Sequence, residues 1–135
     1  FLRKSHQHKK VLCFTKIFNM KYIEKTDRPW GKYYVINDEP NYKIKKIEVN
    51  TGQRLSYQYH ENRSESWTIV EGMGTLTLDG KNIDLIEGDN IKIPINAKHR
   101  IANRGSNKLV FIEVQTGTYF GEDDIIRIED DYNRK

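Results

Sequence analysis

The chain has 135 residues and a mass of 16.0 kDa, which is enough for one domain with a single core of modest size. Its net charge is +4, but residues 1–23 hold six basic residues and no acid, so the remainder carries 17 basic and 19 acidic residues. The domain itself is therefore not basic, which argues against a nucleic-acid partner, and its short apolar runs predict no membrane-spanning helix. The single cysteine, Cys13, excludes an internal disulfide.

Residues 1–23 differ from the rest of the chain because they are basic and lack a domain-like pattern of apolar residues. Three interpretations stay open for residues 1–19: an organelle-targeting presequence, a non-functional extension, or upstream sequence ahead of a start at Met20. We treat residues 1–23 as an extension, assign the domain to residues 24–135, and expect a cytoplasmic protein.

Downstream of this extension the sequence reads as many short strands with turn residues between them. The predicted strands are 32–37, 42–49, 54–60, 65–71, 75–80, 81–86, 90–95, 99–103 and 108–115. Strands spaced about ten residues apart, without helical periodicity between them, are typical of an all-β sandwich or barrel. Near the C-terminus, Asp123 and Asp124 suit the first turn of a short helix.

Alternation along two of these strands places polar side chains on buried faces. Gln58 and His60 share a face of the strand through 54–60, and Glu65 shares a face with Trp67 on the next strand. If Trp67 points into the barrel, so does Glu65. A buried carboxylate is costly unless a cation pairs with it, so the pattern predicts either a metal ion or an arginine beside Glu65.

The same stretch fits the first of two sequence motifs that occur together at fixed spacings, and a later stretch fits the second. The positions that match are Gly52, His60, Glu65 and Gly72 in the first motif, and Gly88, Pro94, His99 and Asn103 in the second. Gln58 stands where the first histidine is usual, and Asn96 replaces the middle glycine. The chain therefore resembles a cupin, which implies an antiparallel β-barrel of the jelly-roll type, also called a double-stranded β-helix.

The resemblance extends to the type II mannose-6-phosphate isomerase domain, which follows a guanylyltransferase domain in bifunctional enzymes. It is carried by segments 27–36, 52–72, 93–103 and 112–132. It implies one divalent metal, with Zn²⁺ first and Mn²⁺, Fe²⁺, Co²⁺ or Ni²⁺ as alternatives, a sugar-phosphate substrate and a homodimer. The implied ligands are Gln58, His60, Glu65 and His99. The implied reaction is the interconversion of mannose 6-phosphate and fructose 6-phosphate.

The groups that would bind the phosphate and move a proton are less defined. Phosphate binding favours arginine, and Arg63, Arg100 and Arg54 are the candidates. Glu113 is the candidate for proton transfer, although the alternation of the last strand fits equally well with Glu113 facing solvent.

Three residues depart from the family pattern, because Glu61, Asn62 and Ser66 stand where the family usually has histidine. They leave open a non-catalytic sugar-binding or regulatory cupin. Another small cupin enzyme, such as an epimerase, a different isomerase or an oxygenase, is a further alternative.

Overall fold

A computed structural model describes residues 22–135, so the predictions for residues 1–21 lie outside the described part of the chain. Eleven strands and one 3₁₀ turn make up this region. The strands are β1 (Glu24–Arg28), β2 (Gly31–Glu39), β3 (Tyr42–Val49), β4 (Tyr57–Tyr59), β5 (Arg63–Glu71), β6 (Gly74–Leu78), β7 (Lys81–Leu85), β8 (Asn90–Ile93), β9 (His99–Ala102), β10 (Leu109–Gly117) and β11 (Ile126–Glu129). The 3₁₀ turn, Glu122–Asp124, lies between β10 and β11.

The strands form two antiparallel sheets, as predicted for an all-β barrel. The larger sheet has the order β1-β2-β3-β10-β5-β8, and the smaller has the order β11-β4-β9-β6-β7. The short helical turn near the C-terminus is also confirmed. The sequence did not predict β1 and β11, whose residues are mostly charged or half exposed because both strands lie at sheet edges. No helix within residues 22–135 is long and apolar enough to cross a membrane.

The inner faces of the two sheets form one apolar core. Trp67 and Ile69 of β5 pack there with Phe111 of β10, and Leu76 and Ile101 come from the opposite sheet; all five side chains are buried. The strand period of two explains this arrangement, because every second residue of a strand faces inward.

The same alternation continues from the apolar core into a polar region. Arg63 and Glu65 are buried on the face of β5 that carries Trp67, and Glu113 and Gln115 are buried on the face of β10 that carries Phe111. The expectation that Glu65 shares the inward face of Trp67 is therefore confirmed. For Glu113, whose direction the pattern left open, the structure shows the inward orientation.

One turn at this end of the barrel explains a departure from the cupin motif. Asn96, which replaces the usual glycine, has a φ of 69°. Asparagine adopts this left-handed conformation more readily than most residues, so the turn that precedes His99 survives the replacement.

Candidate metal centre

Three buried side chains meet between the two sheets. His60 follows β4, Glu65 lies on β5 and His99 begins β9, and one ligand atom from each lies within 4.8 Å of the others. His60 Nε2 is 3.1 Å from one carboxylate oxygen of Glu65, and His99 Nε2 is 3.8 Å from the other. The two imidazole rings contact each other edge-on, with centroids 5.0 Å apart. Two neighbouring segments, which carry His60 and Glu65, and a later strand, which carries His99, thus direct nitrogen and oxygen donors toward one point.

Backbone carbonyls fix the orientation of both imidazoles. His60 Nδ1 donates to the carbonyl of Asp124 at 3.0 Å, and His99 Nδ1 donates to the carbonyl of Ala97 at 2.8 Å. Because a carbonyl oxygen only accepts, each Nδ1 carries a proton and each Nε2 faces the cluster. Burial lowers the pKa of His99, although the charge of Glu65 opposes this effect. The lowered pKa favours the neutral imidazole that binds a metal.

Glu65 is held by two further donors on its own strand. Trp67 Nε1 donates to one carboxylate oxygen and Arg63 Nε donates to the other, each at 3.0 Å. Burial alone would raise the pKa of Glu65, but His60, His99 and Arg63 outweigh it and hold that pKa well below its usual value. Glu65 is therefore an ionised carboxylate, and Arg63 is the arginine that the sequence allowed as its partner.

Gln58 lies beside this cluster with its amide oriented. It is the direct cross-strand neighbour of His99, so the two side chains extend from the same face of the sheet. The amide nitrogen donates to Ser56 Oγ at 2.8 Å. This leaves the amide oxygen as the atom available to a cation.

A second buried carboxylate faces the same interior. Glu113 accepts a hydrogen bond from Gln115, which is the cross-strand neighbour of Glu65. Burial and the charge of Glu65 raise the pKa of Glu113 to about 7, despite the opposing effect of Lys45 and Arg63. Burial acts to lower the pKa of Lys45, but Glu113 and Glu122 outweigh it and the pKa is raised. The site thus holds one acid with a lowered pKa, one acid with a pKa raised to about 7, and a buried ammonium group.

The donor set fits a divalent ion of the first transition series. Two imidazole nitrogens, a carboxylate oxygen and an amide oxygen are the ligands that Zn²⁺, Mn²⁺, Fe²⁺, Co²⁺ and Ni²⁺ accept, and no thiolate contributes among the described residues. The hydrogen bonds behind the histidines and the glutamate are of the kind that orients metal ligands in proteins.

Comparison with known proteins shows the family to which the chain belongs. The family model of the mannose-6-phosphate isomerase C-terminal domain matches residues 17–130. The chain belongs to this family. It is 46% identical over 107 residues to the alginate biosynthesis protein AlgA of Pseudomonas aeruginosa, covering 79% of this chain and 22% of AlgA. It is 43% identical over 107 residues to a mannose-1-phosphate guanylyltransferase of Klebsiella pneumoniae, covering 79% of this chain and 23% of that enzyme. The chain spans less than a quarter of the length of these two relatives.

Solved structures agree on the fold of this isomerase-family domain. An RmlC-like cupin from Shewanella frigidimarina superimposes with a TM-score of 0.66 at 21% identity, covering 78% of this chain and 91% of that one. The capsular polysaccharide assembling protein CapF of Staphylococcus aureus superimposes with a TM-score of 0.68 at 19% identity, covering 78% and 34%. The cupin fold predicted from the two motifs is therefore confirmed.

The residues that depart from the usual pattern of the isomerase family lie outside the cluster. Glu61 and Asn62 are exposed in a turn whose backbone N–H groups donate to the side chain of Asp124, at 3.1 and 3.0 Å. Ser66 lies between Glu65 and Trp67 on β5, so it faces the opposite side of the sheet. None of the three side chains faces the interior where the predicted ligands meet.

Two of the three predicted phosphate-binding arginines also lie away from the cluster. Arg54 forms a two-point ion pair with Asp131, with contacts of 2.7 and 2.9 Å. Arg100 follows His99 and faces the other side of β9, where it donates to the carbonyl of Leu55 and to Glu129. Only Arg63 joins the site. Binding of a sugar phosphate by Arg54 or Arg100 stays a prediction, and their contacts link β11 and the C-terminal segment to the rest of the smaller sheet.

Sequence reasoning placed Asp124 in a short helical turn but missed its contacts with the site. Its carbonyl orients His60 and its carboxylate holds the turn that follows His60, so the 3₁₀ turn supports a candidate metal ligand more than 60 residues away in the chain. The only signal in the sequence is a run of acids, which is more typical of a solvated tail than of a buried support.

Proposed function

We propose that this protein is a metal-dependent sugar-phosphate isomerase that interconverts mannose 6-phosphate and fructose 6-phosphate. The observation that carries the proposal is the meeting of His60, Glu65 and His99 within 4.8 Å, in an interior that Glu113 also faces. Membership of the mannose-6-phosphate isomerase C-terminal family supports the same conclusion.

Each residue of the site has a role in this proposal. His60, Glu65 and His99 hold the ion, with the amide oxygen of Gln58 as the fourth ligand. A divalent ion in this position supplies Lewis-acid stabilisation of negative charge on the oxygens at C1 and C2 of the sugar. Arg63 keeps Glu65 in place and adds a positive charge beside those oxygens.

Glu113 is the group we assign to proton transfer. Aldose–ketose isomerisation removes a proton from one carbon and returns a proton to its neighbour, so the same group must be able to accept and donate. A carboxyl group with a pKa of about 7 has both forms available at neutral pH. The buried ammonium group of Lys45 lies across the strand pair from Glu113 and stabilises its ionised form.

The test begins with metal analysis of the purified protein, followed by a coupled assay for fructose 6-phosphate formed from mannose 6-phosphate. We expect one ion per chain and measurable turnover, no bound ion in His99→Ala, and retained ion without turnover in Glu113→Gln. Arg104→Gln, which changes an exposed arginine in the loop after β9, is the matched control. A fully loaded protein that never converts either sugar phosphate would contradict the proposal.

A second candidate function is sugar-phosphate binding without turnover, and the position of Arg63 favours it. Arg63 Nε is 3.0 Å from Glu65 and Arg63 Nη2 is 3.4 Å from His60 Nε2, so the guanidinium neutralises Glu65 without any metal ion. Binding of mannose 6-phosphate that persists in metal-free protein, together with absent turnover in loaded protein, would select this second candidate.

A further inference from the structure

A small cleft is lined in part by the C-terminal segment, and its lining carries more positive than negative side chains. Gln58 and Glu113 of the candidate site are among its lining residues. Four cationic side chains line it: Arg28, Lys45, Arg127 and Arg134. Two carboxylates, Glu113 and Glu122, oppose them. A lining with this balance of charge attracts an anionic ligand.

Arg127 occupies the central position in this lining. It lies on β11 directly opposite Gln58 of β4, so both side chains extend from the same face of the sheet. The Nε atom of Arg127 is buried and has no hydrogen-bond partner within residues 22–135. Burial, followed by the charges of Arg134 and Arg28, lowers the pKa of Arg127. Its Nη1 atom already donates to the backbone carbonyl of Lys135, so Nε is the donor that gains most from an incoming anion.

The other cations of the cleft differ in how fully they are already paired. Arg134 makes two side-chain hydrogen bonds to Asp130, at 2.7 and 2.8 Å, and Lys45 bonds Glu122 at 2.7 Å. Arg28 is held loosely, with Nη2 at 3.9 Å from Glu122 and 3.4 Å from the Tyr33 hydroxyl. The donors still available to a ligand therefore belong to Arg127 and, second, to Arg28.

We propose that Arg127, assisted by Arg28, binds the phosphate group of the hexose phosphate. This inference rests on the proposed function, because the proposed function places the carbonyl end of the sugar at the candidate metal site. Three carbons, C3 to C5, separate C2 from the carbon that carries the phosphate, so the phosphate binds beside the cluster. Arg127 lies in such a position, because Gln58 is the direct cross-strand neighbour of both Arg127 and His99. The fixed fork of a guanidinium matches two phosphate oxygens at once. Arg127 thus takes the role that the sequence offered to Arg63, Arg100 and Arg54.

The test measures binding by calorimetry on the full chain, with two probes and matched variants. Inorganic phosphate is titrated into metal-free protein, where an ion cannot contribute a phosphate contact, and fructose 6-phosphate is titrated into metal-loaded protein. In Arg127→Gln we expect both affinities to fall about ten- to a hundred-fold, because a hydrogen bond to a charged group is lost. We expect a smaller loss in Arg28→Gln, partial recovery in Arg127→Lys, and no change in Arg104→Gln. Circular dichroism checks that each variant is folded.

The outcomes separate this inference from the proposed function. Phosphate binding that depends on Arg127 in a protein without isomerase turnover supports the anion site and contradicts the proposed reaction. Turnover with phosphate affinities unchanged in folded Arg127→Gln supports the reaction and overturns the assignment of Arg127. Wild-type protein that binds neither probe also overturns the assignment.

Discussion

The interior of this barrel has two halves that are built from the same strands and are equally buried. In one half, Trp67 packs on Phe111 with ring centroids 4.5 Å apart, and the side chains are 1% and 0% exposed. In the other half, Glu65 lies two residues before Trp67 on β5 and Gln115 lies four residues after Phe111 on β10; they are 2% and 0% exposed. Burial therefore does not distinguish structural from functional residues in this protein; the chemistry of the partners does.

The two halves also differ in what keeps them stable. Apolar side chains in the first half need only close contact, which removes apolar surface from water. Each polar group in the second half needs a partner of specific geometry, because an unpaired buried charge or amide is costly. This explains why Glu65 accepts hydrogen bonds from both Arg63 and Trp67. It also explains why each of the two histidines donates a hydrogen bond to a backbone carbonyl.

The largest expected effect tests the apolar half alone. Phe111→Ala removes a fully buried ring and should lower the free energy of unfolding by about 3–5 kcal/mol. Urea unfolding monitored by tryptophan fluorescence measures it. In protein that is still folded, the metal content should equal that of wild type. Phe111 packs on Trp67, and it is Trp67 that bonds the proposed ligand Glu65. Loss of metal in folded Phe111→Ala would show that the two halves are not independent.

The next effect concerns the charge of Glu113 in the polar half. Its pKa is raised from 4.5 to about 7, so the native state binds more protons than the unfolded state between these values, and stability falls as pH rises through that window. The free energy of unfolding of metal-free wild type, minus that of Glu113→Gln, should decline by on the order of 3 kcal/mol from pH 4.5 to 7. Taking the difference removes the opposite contribution of His99, whose lowered pKa makes stability rise with pH below 6.5. A difference that stays flat with pH would mean that Glu113 is not desolvated in the native protein.

A smaller effect, on metal affinity, is expected at Asp124, which supports the polar half from the 3₁₀ turn. Asp124→Ala removes the acceptor for the backbone N–H groups of Glu61 and Asn62 and loosens the carbonyl that orients His60. Metal affinity should fall about ten- to a hundred-fold, as is typical when the support of a metal ligand is lost. Competition with a chelator measures it, and Asp123→Ala, a change of the exposed neighbour, is the control. Equal affinities in the two variants would remove Asp124 from the site.

The smallest effect is expected at the surface, far from either half. Arg54 and Asp131 form an ion pair in which the side chains are 41% and 42% exposed. Exposed pairs contribute little, so Arg54→Gln should lower the free energy of unfolding by less than about 1 kcal/mol. Thermal unfolding measures the stability. Steady-state kinetics on the same variant tests the role predicted from the sequence, because a raised KM for mannose 6-phosphate would return Arg54 to the substrate site.

Much of the ligand set could be predicted because the two sequence motifs place it at fixed spacings. His60, Glu65 and His99 do meet, and the phase that Glu65 shares with Trp67 was readable from strand alternation. The direction of Glu113 was not, since apolar residues occupy both faces of the last strand and the period of two selects neither. The prediction for Arg100 took no account of the strand face. Arg100 is next to the proposed ligand His99 in sequence, but its side chain lies on the other face of β9.

By itself the sequence determined the all-β architecture and the strand phases around Glu65, because these depend on periods and spacings within short segments. The candidate metal ligands came from the resemblance to the cupin motifs. Only the tertiary structure decided which charges share the cleft. Arg127 lies opposite Gln58, and Asp124 supports His60, through contacts between segments more than 60 residues apart. Such pairings depend on the register between strands and on how distant segments of the chain come together, and no local sequence pattern encodes either.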